Sequence, residues 1–293
     1  MAAMGSESVE AVRKRLRGLR VEGACWGYRP ETVPATEPTA LAALGFLATA
    51  TEHQPASEQS EARAAADWLA AHQRSDGSLG VSTLLREPGW PTPYGILLWA
   101  SLGAYPLQRQ RALAWLLEQK GNTVETRGDG VVGHNARLVG WPWVPNTHSW
   151  LEPTALAVLA LVREGLAEHP RTVEGLRLIR DRAIATGGWN YGNNVVFGQS
   201  LRPQPASTGL ALMALAGTSD SPAIVDRAIG YLLEVLPQIR SAQSLTWGLL
   251  GLRAWNRCPE AAVDWLAEAA ALALHRQHPA PSLAYLLLAL GGR

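Results

Sequence analysis

The chain has 293 residues, of which 47% are hydrophobic and only 17% are charged, so it is too apolar to be disordered and can bury a large core. Its 26 basic and 25 acidic residues give a formal net charge of +1, which does not favour nucleic-acid binding. The two cysteines lie far apart in sequence, so neither a disulfide framework nor a CxxC metal site is expected. We therefore expect reduced thiols in a cytoplasmic protein that holds no metal or other cofactor.

The sequence contains no segment with the roughly 18 uninterrupted apolar residues of a membrane span. The basic stretch near the N-terminus is not followed by the apolar region of a secretory signal. The same stretch, residues 13–20, is interpreted as the solvated face of a helix. Its alternative role is peripheral contact with anionic lipid.

Two kinds of predicted helix alternate along the chain. Amphipathic segments, whose charges cluster on one side, are typical of an outer layer. Apolar segments that open with Pro and Thr or Ser have the chemistry of helix starts and are typical of buried helices. Outer and buried segments alternate, outer first, at 6–19, 34–44, 61–73, 89–104, 108–120, 148–161, 172–185, 203–215, 222–236, 241–255, 259–277 and 281–291.

The number of these segments predicts a closed arrangement. Six outer and six buried helices form six hairpins if the first helix pairs with the last, and closure removes the ends that an open array must cap. We expect an all-α (α/α)6 toroid, one domain over residues 1–293, in which the N-terminal helix closes the ring against the C-terminal helix. An open right-handed solenoid is the alternative. Only residues 193–200 suggest a short extended piece.

Aromatic residues and glycines mark the loops that lead into the buried helices. The chain has 12 Trp against 2 Phe, and a buried Trp needs a partner for its indole N–H. The loops read CWGYRP at 25–30, GWPTPY at 89–94, GWPWVPNTHSW at 140–150 and GGWNYG at 187–192.

These loops and the PTALAVLAL-type helices resemble the repeats of the terpene cyclase and protein prenyltransferase superfamily, and the squalene–hopene cyclase branch is the most similar. The repeat signature of that branch is a Gln followed, after a few residues, by Gly-x-Trp. Gln73 and Gly77 match it with Leu79 in place of the Trp, whereas Gly187 and Trp189 match it without the Gln. The resemblance implies a toroid whose central cavity holds an isoprenoid chain.

The resemblance also implies that aromatic side chains line this cavity. Their ring faces attract a carbocation, which they stabilise without capturing it. The alternative for each aromatic residue is a packing role between hairpins. Together with Glu37, the expected pocket residues are Trp26, Tyr28, Trp90, Tyr94, Trp141, Trp143, Trp150, Trp189 and Tyr191.

Class II cyclases of this superfamily protonate an alkene or epoxide with an Asp-x-Asp-Asp motif at the start of an inner helix. This chain has no such motif, but WLEPTA places Glu152 at the middle Asp, and ATEPTA places Glu37 at the same point of another repeat. We interpret Glu152 as the general acid, held by His148 or Thr154, with Asp129 as a second candidate. In the structural alternative, both glutamates stabilise the N-terminal ends of their helices.

The metal-dependent reactions of this superfamily and of class I terpene synthases are not expected. The zinc-binding Asp-x-Cys spacing of protein prenyltransferases and the DDxxD cluster of class I terpene synthases are both missing from the sequence.

Three functions remain open from the sequence. The first is proton-initiated cyclisation or isomerisation of an isoprenoid or similarly hydrophobic substrate. The second is a non-catalytic toroid that binds a lipid, or a protein partner that covers the cavity mouth. The third is a carbohydrate-active (α/α)6 barrel, in which Glu37 and Glu152 would face each other beside Trp platforms.

Overall fold

The computed structural model describes residues 2–21, 23–50, 55–124, 133–218 and 222–291. Within these ranges it contains twelve α-helices, one at each predicted position, which confirms the all-α fold. The helices are α1 (Ala2–Arg17), α2 (Thr36–Ala48), α3 (Pro55–His72), α4 (Thr92–Ser101), α5 (Pro106–Glu118), α6 (Leu151–Arg163), α7 (Pro170–Asp181), α8 (Pro205–Leu215), α9 (Pro222–Val235), α10 (Ala242–Ala254), α11 (Ala262–His275) and α12 (Ala280–Gly291).

The expected extended piece is a two-stranded antiparallel hairpin. Its strands are β1 (Val195–Val196) and β2 (Gln199–Ser200). The two turn residues, Phe197 and Gly198, both have positive φ angles, 50° and 73°. Positive φ at both positions suits the tight turn that joins two twisted strands.

The chain divides into two compact units. The first comprises Met1–Trp115, Arg240–Thr246 and Glu260–Arg293, and the second comprises Leu116–Ile239 and Trp247–Pro259. The expected single domain over residues 1–293 stays a prediction.

In the first unit, the inner helix α2 packs most extensively against α12, and it also contacts α3 and α4. The N-terminal helix α1 packs against α11 and α12. The two ends of the chain therefore meet in this unit, as the predicted pairing of the first and last helices requires. The closed ring of six hairpins stays a prediction.

In the second unit, the inner helix α6 packs against α7 and α8, and α8 also contacts α9. Helices α6 and α8 are buried on nearly all sides. Helix α7 instead buries one stripe that includes Leu176, Leu178 and Ile179. These burial patterns agree with the predicted alternation of inner and outer helices.

A threonine near the start of four inner helices ties each helix to the loop before it. In α2, the Oγ1 atom of Thr39 accepts a hydrogen bond of 3.0 Å from the backbone N–H of Trp26 and lies 3.3 Å from the carbonyl oxygen of the same residue. This hydrogen bond satisfies the buried backbone N–H of Trp26, which lies in the loop and not in a helix. The same contacts join Thr92 to Leu79, Thr154 to Trp141, and Thr208 to Trp189.

Three of the loop tryptophans have a second repeated contact. The indole N–H donates to a backbone carbonyl close to the C-terminal end of the preceding outer helix, where carbonyls lack partners within the helix. The donor–acceptor distances are 2.7 Å for Trp26 to Leu16, 2.8 Å for Trp141 to Leu116, and 2.7 Å for Trp189 to Ile179. These three side chains are buried, so their described contacts are those of packing residues.

The threonine contact predicts the effect of Thr208→Val, which keeps the side-chain shape but removes the acceptor for the buried N–H of Trp189. We expect the free energy of unfolding to fall by about 1–3 kcal/mol, the usual cost of an unsatisfied buried donor. Urea unfolding monitored by circular dichroism measures this change. Thr123→Val, at an exposed position, is the control. Equal unfolding midpoints for the two variants would contradict the structural role of the threonine.

Candidate functional site

Glu37 lies in the first turn of α2, two residues before Thr39. Its side chain is only 8% exposed, which is unusual for a carboxyl group that forms no ion pair among the described residues. Because Thr39 fixes this turn against the loop at Trp26, the carboxyl group is held next to the residues that follow Trp26.

Two tyrosine hydroxyls donate to the Glu37 carboxyl group, one to each oxygen. Tyr28, from the loop before α2, donates to Oε2 at 2.7 Å, and Tyr285, from α12, donates to Oε1 at 2.7 Å. Tyr94, from α4, also acts on the carboxyl group and lowers its pKa. A single glutamate is thus surrounded by hydroxyls from a loop and from the two inner helices that contact α2. We call Tyr28, Glu37, Tyr94 and Tyr285 the Glu37 cluster.

Burial raises the pKa of the Glu37 carboxyl above its ordinary value, because the charged form loses its hydration. The hydroxyls of Tyr28, Tyr285 and Tyr94 stabilise the charged form and lower the pKa, but they do not cancel the effect of burial. A carboxyl group with a raised pKa keeps its proton closer to neutral pH. That property suits a general acid.

An aromatic ring adjoins the Glu37 cluster. The indole of Trp90 meets the ring of Tyr94 edge to face, with centroids 6.0 Å apart and planes at 75°. Trp90 lies in the turn before α4, two residues before Thr92, just as Glu37 lies two residues before Thr39. Two other predicted pocket residues, Tyr28 and Tyr94, therefore lie at the Glu37 carboxyl group, and a third, Trp90, contacts Tyr94.

In the second unit, Glu152 occupies the position of α6 that is equivalent to Glu37, but its side chain is partly exposed. The two residues predicted to hold it have other described contacts. The Thr154 hydroxyl binds the backbone of Trp141, and the exposed His148 places its Nδ1 atom 3.3 Å from the carbonyl oxygen of Asn122. Asp129, the second candidate acid, lies outside the described residues.

The remaining predicted pocket residues also belong to the second unit. The backbone carbonyl of Tyr191 accepts a hydrogen bond from the N–H of Leu151 at the start of α6, and Gly192 packs closely against Trp150. Trp143 and Trp150 are partly exposed and Tyr191 is exposed, whereas Trp141 and Trp189 are buried. The predicted pocket role of these residues stays a prediction.

Sequence reasoning missed Tyr285. It is a lone tyrosine within the apolar run PSLAYLLLAL, a pattern that predicts only a buried helix. A hydroxyl on an otherwise aliphatic helix needs a buried partner, and this requirement was the available signal. The partner, Glu37, lies 248 residues away in sequence.

No group of three or more His, Cys, Asp or Glu side chains that could hold a metal ion occurs among the residues described. No described helix is long and apolar enough to span a membrane.

Comparison with solved structures places this arrangement in a known fold. The type II terpene cyclase MstE from Scytonema, in complex with its substrate geranylgeranyl dihydroxybenzoate, has a TM-score of 0.64 and 17% identity over 91% of this chain and 78% of that chain. The ent-copalyl diphosphate synthase from Streptomyces platensis has a TM-score of 0.54 and 17% identity over 88% of this chain and 50% of that chain. This chain has the fold of the type II terpene cyclases.

A protein from Actinoplanes is similar to this chain over almost its whole length, with a TM-score of 0.65 and 18% identity over 98% of both chains. No family model matches the sequence, and no curated protein matches it in sequence. The resemblance predicted from the loops and helix starts is therefore confirmed at the level of the fold.

The buried carboxyl predicts a pH-dependent stability. The unfolded chain releases the Glu37 proton near the ordinary glutamate pKa of 4.5, whereas the folded chain keeps it to higher pH, so stability falls as pH rises from 4.5 through the raised pKa. Each unit of difference removes about 1.4 kcal/mol. Glu37→Gln has no carboxyl group at this position and does not lose stability in this way. Its melting temperature relative to wild type is therefore expected to rise between pH 4 and pH 8.

Thermal melts across this pH range, followed by circular dichroism, measure the difference. Glu118→Gln changes an exposed glutamate of α5 and serves as the control. A melting-temperature difference for Glu37→Gln that stays as flat with pH as that of Glu118→Gln would show that Glu37 has no raised pKa.

Proposed function

We propose that this terpene cyclase-like protein binds an isoprenoid or similarly hydrophobic substrate and protonates it with Glu37, which starts a cyclisation or isomerisation. The observation that carries the proposal is the Glu37 cluster, a buried carboxyl group with a raised pKa and hydroxyl donors on both oxygens. The fold supports the proposal, since a type II terpene cyclase of this fold binds geranylgeranyl dihydroxybenzoate as its substrate.

The chemistry begins with transfer of the carboxylic proton to one carbon of an alkene. The π electron pair forms the new C–H bond, the neighbouring carbon becomes a carbocation, and Glu37 becomes a carboxylate. Tyr28 and Tyr285 donate to the two oxygens on which this negative charge develops. Their hydrogen bonds strengthen as the charge forms, so they stabilise the transition state more than the ground state.

Aromatic rings near the acid can stabilise the carbocation that forms together with the Glu37 carboxylate. Tyr94 acts on Glu37 and its ring meets that of Trp90, and aromatic faces attract a cation. The reaction ends when the cation loses a proton from an adjacent carbon or takes up water and loses a proton. Either ending returns one proton to the medium for the one that Glu37 supplied.

The proposal assigns to Glu37 the role that the sequence pattern gave to Glu152. The two glutamates occupy equivalent positions, so the difference lies in their surroundings. Glu37 is buried among tyrosine hydroxyls, whereas Glu152 is partly exposed, and a proton donor at neutral pH needs the burial that raises its pKa.

A second candidate function is binding without catalysis. It is favoured by the lack of the paired aspartates that class II cyclases use. In that case, the cluster would fix the polar end of a hydrophobic ligand, and the ligand would be recovered unchanged.

The test is conversion of squalene and of geranylgeranyl substrates with and without a diphosphate, followed by mass spectrometry of the products. Wild type in D₂O is expected to place one deuterium in each product molecule at the protonated carbon. We expect Glu37→Gln to lower turnover by about 10²- to 10⁴-fold, the usual contribution of a general acid.

The matched variant is Glu152→Gln, at the equivalent position of α6. Loss of turnover in Glu152→Gln with full activity in Glu37→Gln would move the acid role back to Glu152. Binding of substrate without any conversion by wild type would select the binding function.

A further inference from the structure

The two tyrosines that donate to Glu37 differ in their exposure to solvent. Both hydroxyls lie 2.7 Å from a carboxyl oxygen. Tyr28 is 36% exposed, however, whereas Tyr285 is 4% and Tyr94 is 1% exposed. Glu37 itself is 8% exposed, so within the Glu37 cluster Tyr28 is the side chain that reaches both the carboxyl group and solvent.

A proton donor that acts repeatedly must regain its proton, and burial separates Glu37 from bulk water. We propose that Tyr28 is the proton relay that reloads Glu37 from solvent after each turnover. The role in turnover rests on the proposed function, whereas the relay itself is a property of the cluster.

The relay balances as two linked proton transfers. A solvent hydronium ion or buffer acid gives a proton to the Oη atom of Tyr28, and the phenolic proton of Tyr28 passes along the existing hydrogen bond to Oε2 of Glu37. Tyr28 ends neutral, Glu37 becomes the carboxylic acid, and the solvent donor loses one proton. A tyrosine hydroxyl can do this because it both donates and accepts hydrogen bonds.

The loop that carries Tyr28 is held rigidly enough for such a relay. On one side, Trp26 is tied to Thr39, and its carbonyl accepts from the N–H of Ala35. On the other side, Thr32 accepts from the N–H of Arg29 and donates to the Arg29 carbonyl. The hydroxyl is therefore positioned by contacts that do not involve substrate.

Tyr285 provides the matched control that separates a relay role of Tyr28 from a role in which Tyr28 only positions the Glu37 carboxyl group. Tyr28→Phe and Tyr285→Phe each remove one hydrogen bond to Glu37, but only Tyr28 has a side chain that is also exposed to solvent. If Tyr28 only positioned the carboxyl group, the two variants would behave alike.

The first measurement compares one turnover with many. With enzyme in excess, at a pH below the measured Glu37 midpoint, we expect Tyr28→Phe to slow the first turnover by about the same factor as Tyr285→Phe, because each variant loses one hydrogen bond to the carboxyl group. The steady-state rate of Tyr28→Phe is expected to fall by about a further tenfold or more beyond its first-turnover loss, and to rise with the concentration of a small buffer acid. Tyr285→Phe is expected to change the first turnover and the steady state by the same factor. Equal factors for both rates in Tyr28→Phe would overturn the relay.

The second measurement needs no substrate. The infrared C=O band of the protonated Glu37 carboxyl is identified as the band missing from Glu37→Gln, and its shift is timed after rapid mixing into D₂O. Slower exchange in Tyr28→Phe than in both wild type and Tyr285→Phe supports the relay. Exchange as fast as in wild type overturns it. If wild type converts no substrate, the proposed function fails while this measurement still decides whether Tyr28 carries the proton.

Discussion

The hydrogen bond between a threonine hydroxyl near the start of an inner helix and the backbone of the preceding loop is the constraint on which the site depends. In α2, Thr39 makes this bond to Trp26. Tyr28 follows Trp26 by two residues, and Glu37 precedes Thr39 by two residues. This one hydrogen bond therefore holds both residues of the Tyr28–Glu37 contact in place. The contact between threonine and loop that recurs through the fold thus also positions the candidate acid.

The residue two positions before this threonine differs from one repeat to the next. The position two residues before the threonine is Glu37 in α2, Trp90 in the turn before α4, Glu152 in α6 and Ala206 in α8. A structural repeat thus offers several equivalent points at which chemistry can be placed. Burial and hydroxyl donors distinguish Glu37, because they oppose each other in setting its pKa: burial favours the protonated carboxyl group, and the tyrosines favour the carboxylate.

The helices could be predicted from sequence because their signals are local. Periodicity separates outer from inner helices, and Pro with Thr or Ser marks the helix starts. The equivalence of Glu37 and Glu152 could be predicted for the same reason. Which of them is buried could not, since the burial of Glu37 depends on Tyr94 and on Tyr285, from helices distant in sequence. The packing contacts of Trp26, Trp141 and Trp189 likewise depend on carbonyls of neighbouring helices.

The central claim is that Glu37 remains protonated when an ordinary glutamate has ionised. The most direct measurement is a pH titration of the Glu37 carboxyl carbon by NMR in protein labelled with ¹³C at glutamate side chains, with the resonance assigned by its absence from Glu37→Gln. We expect a midpoint above the ordinary value of 4.5, and a lower midpoint in wild type than in Tyr285→Phe, which loses one hydrogen bond to the carboxylate. A midpoint at or below 4.5 would contradict it.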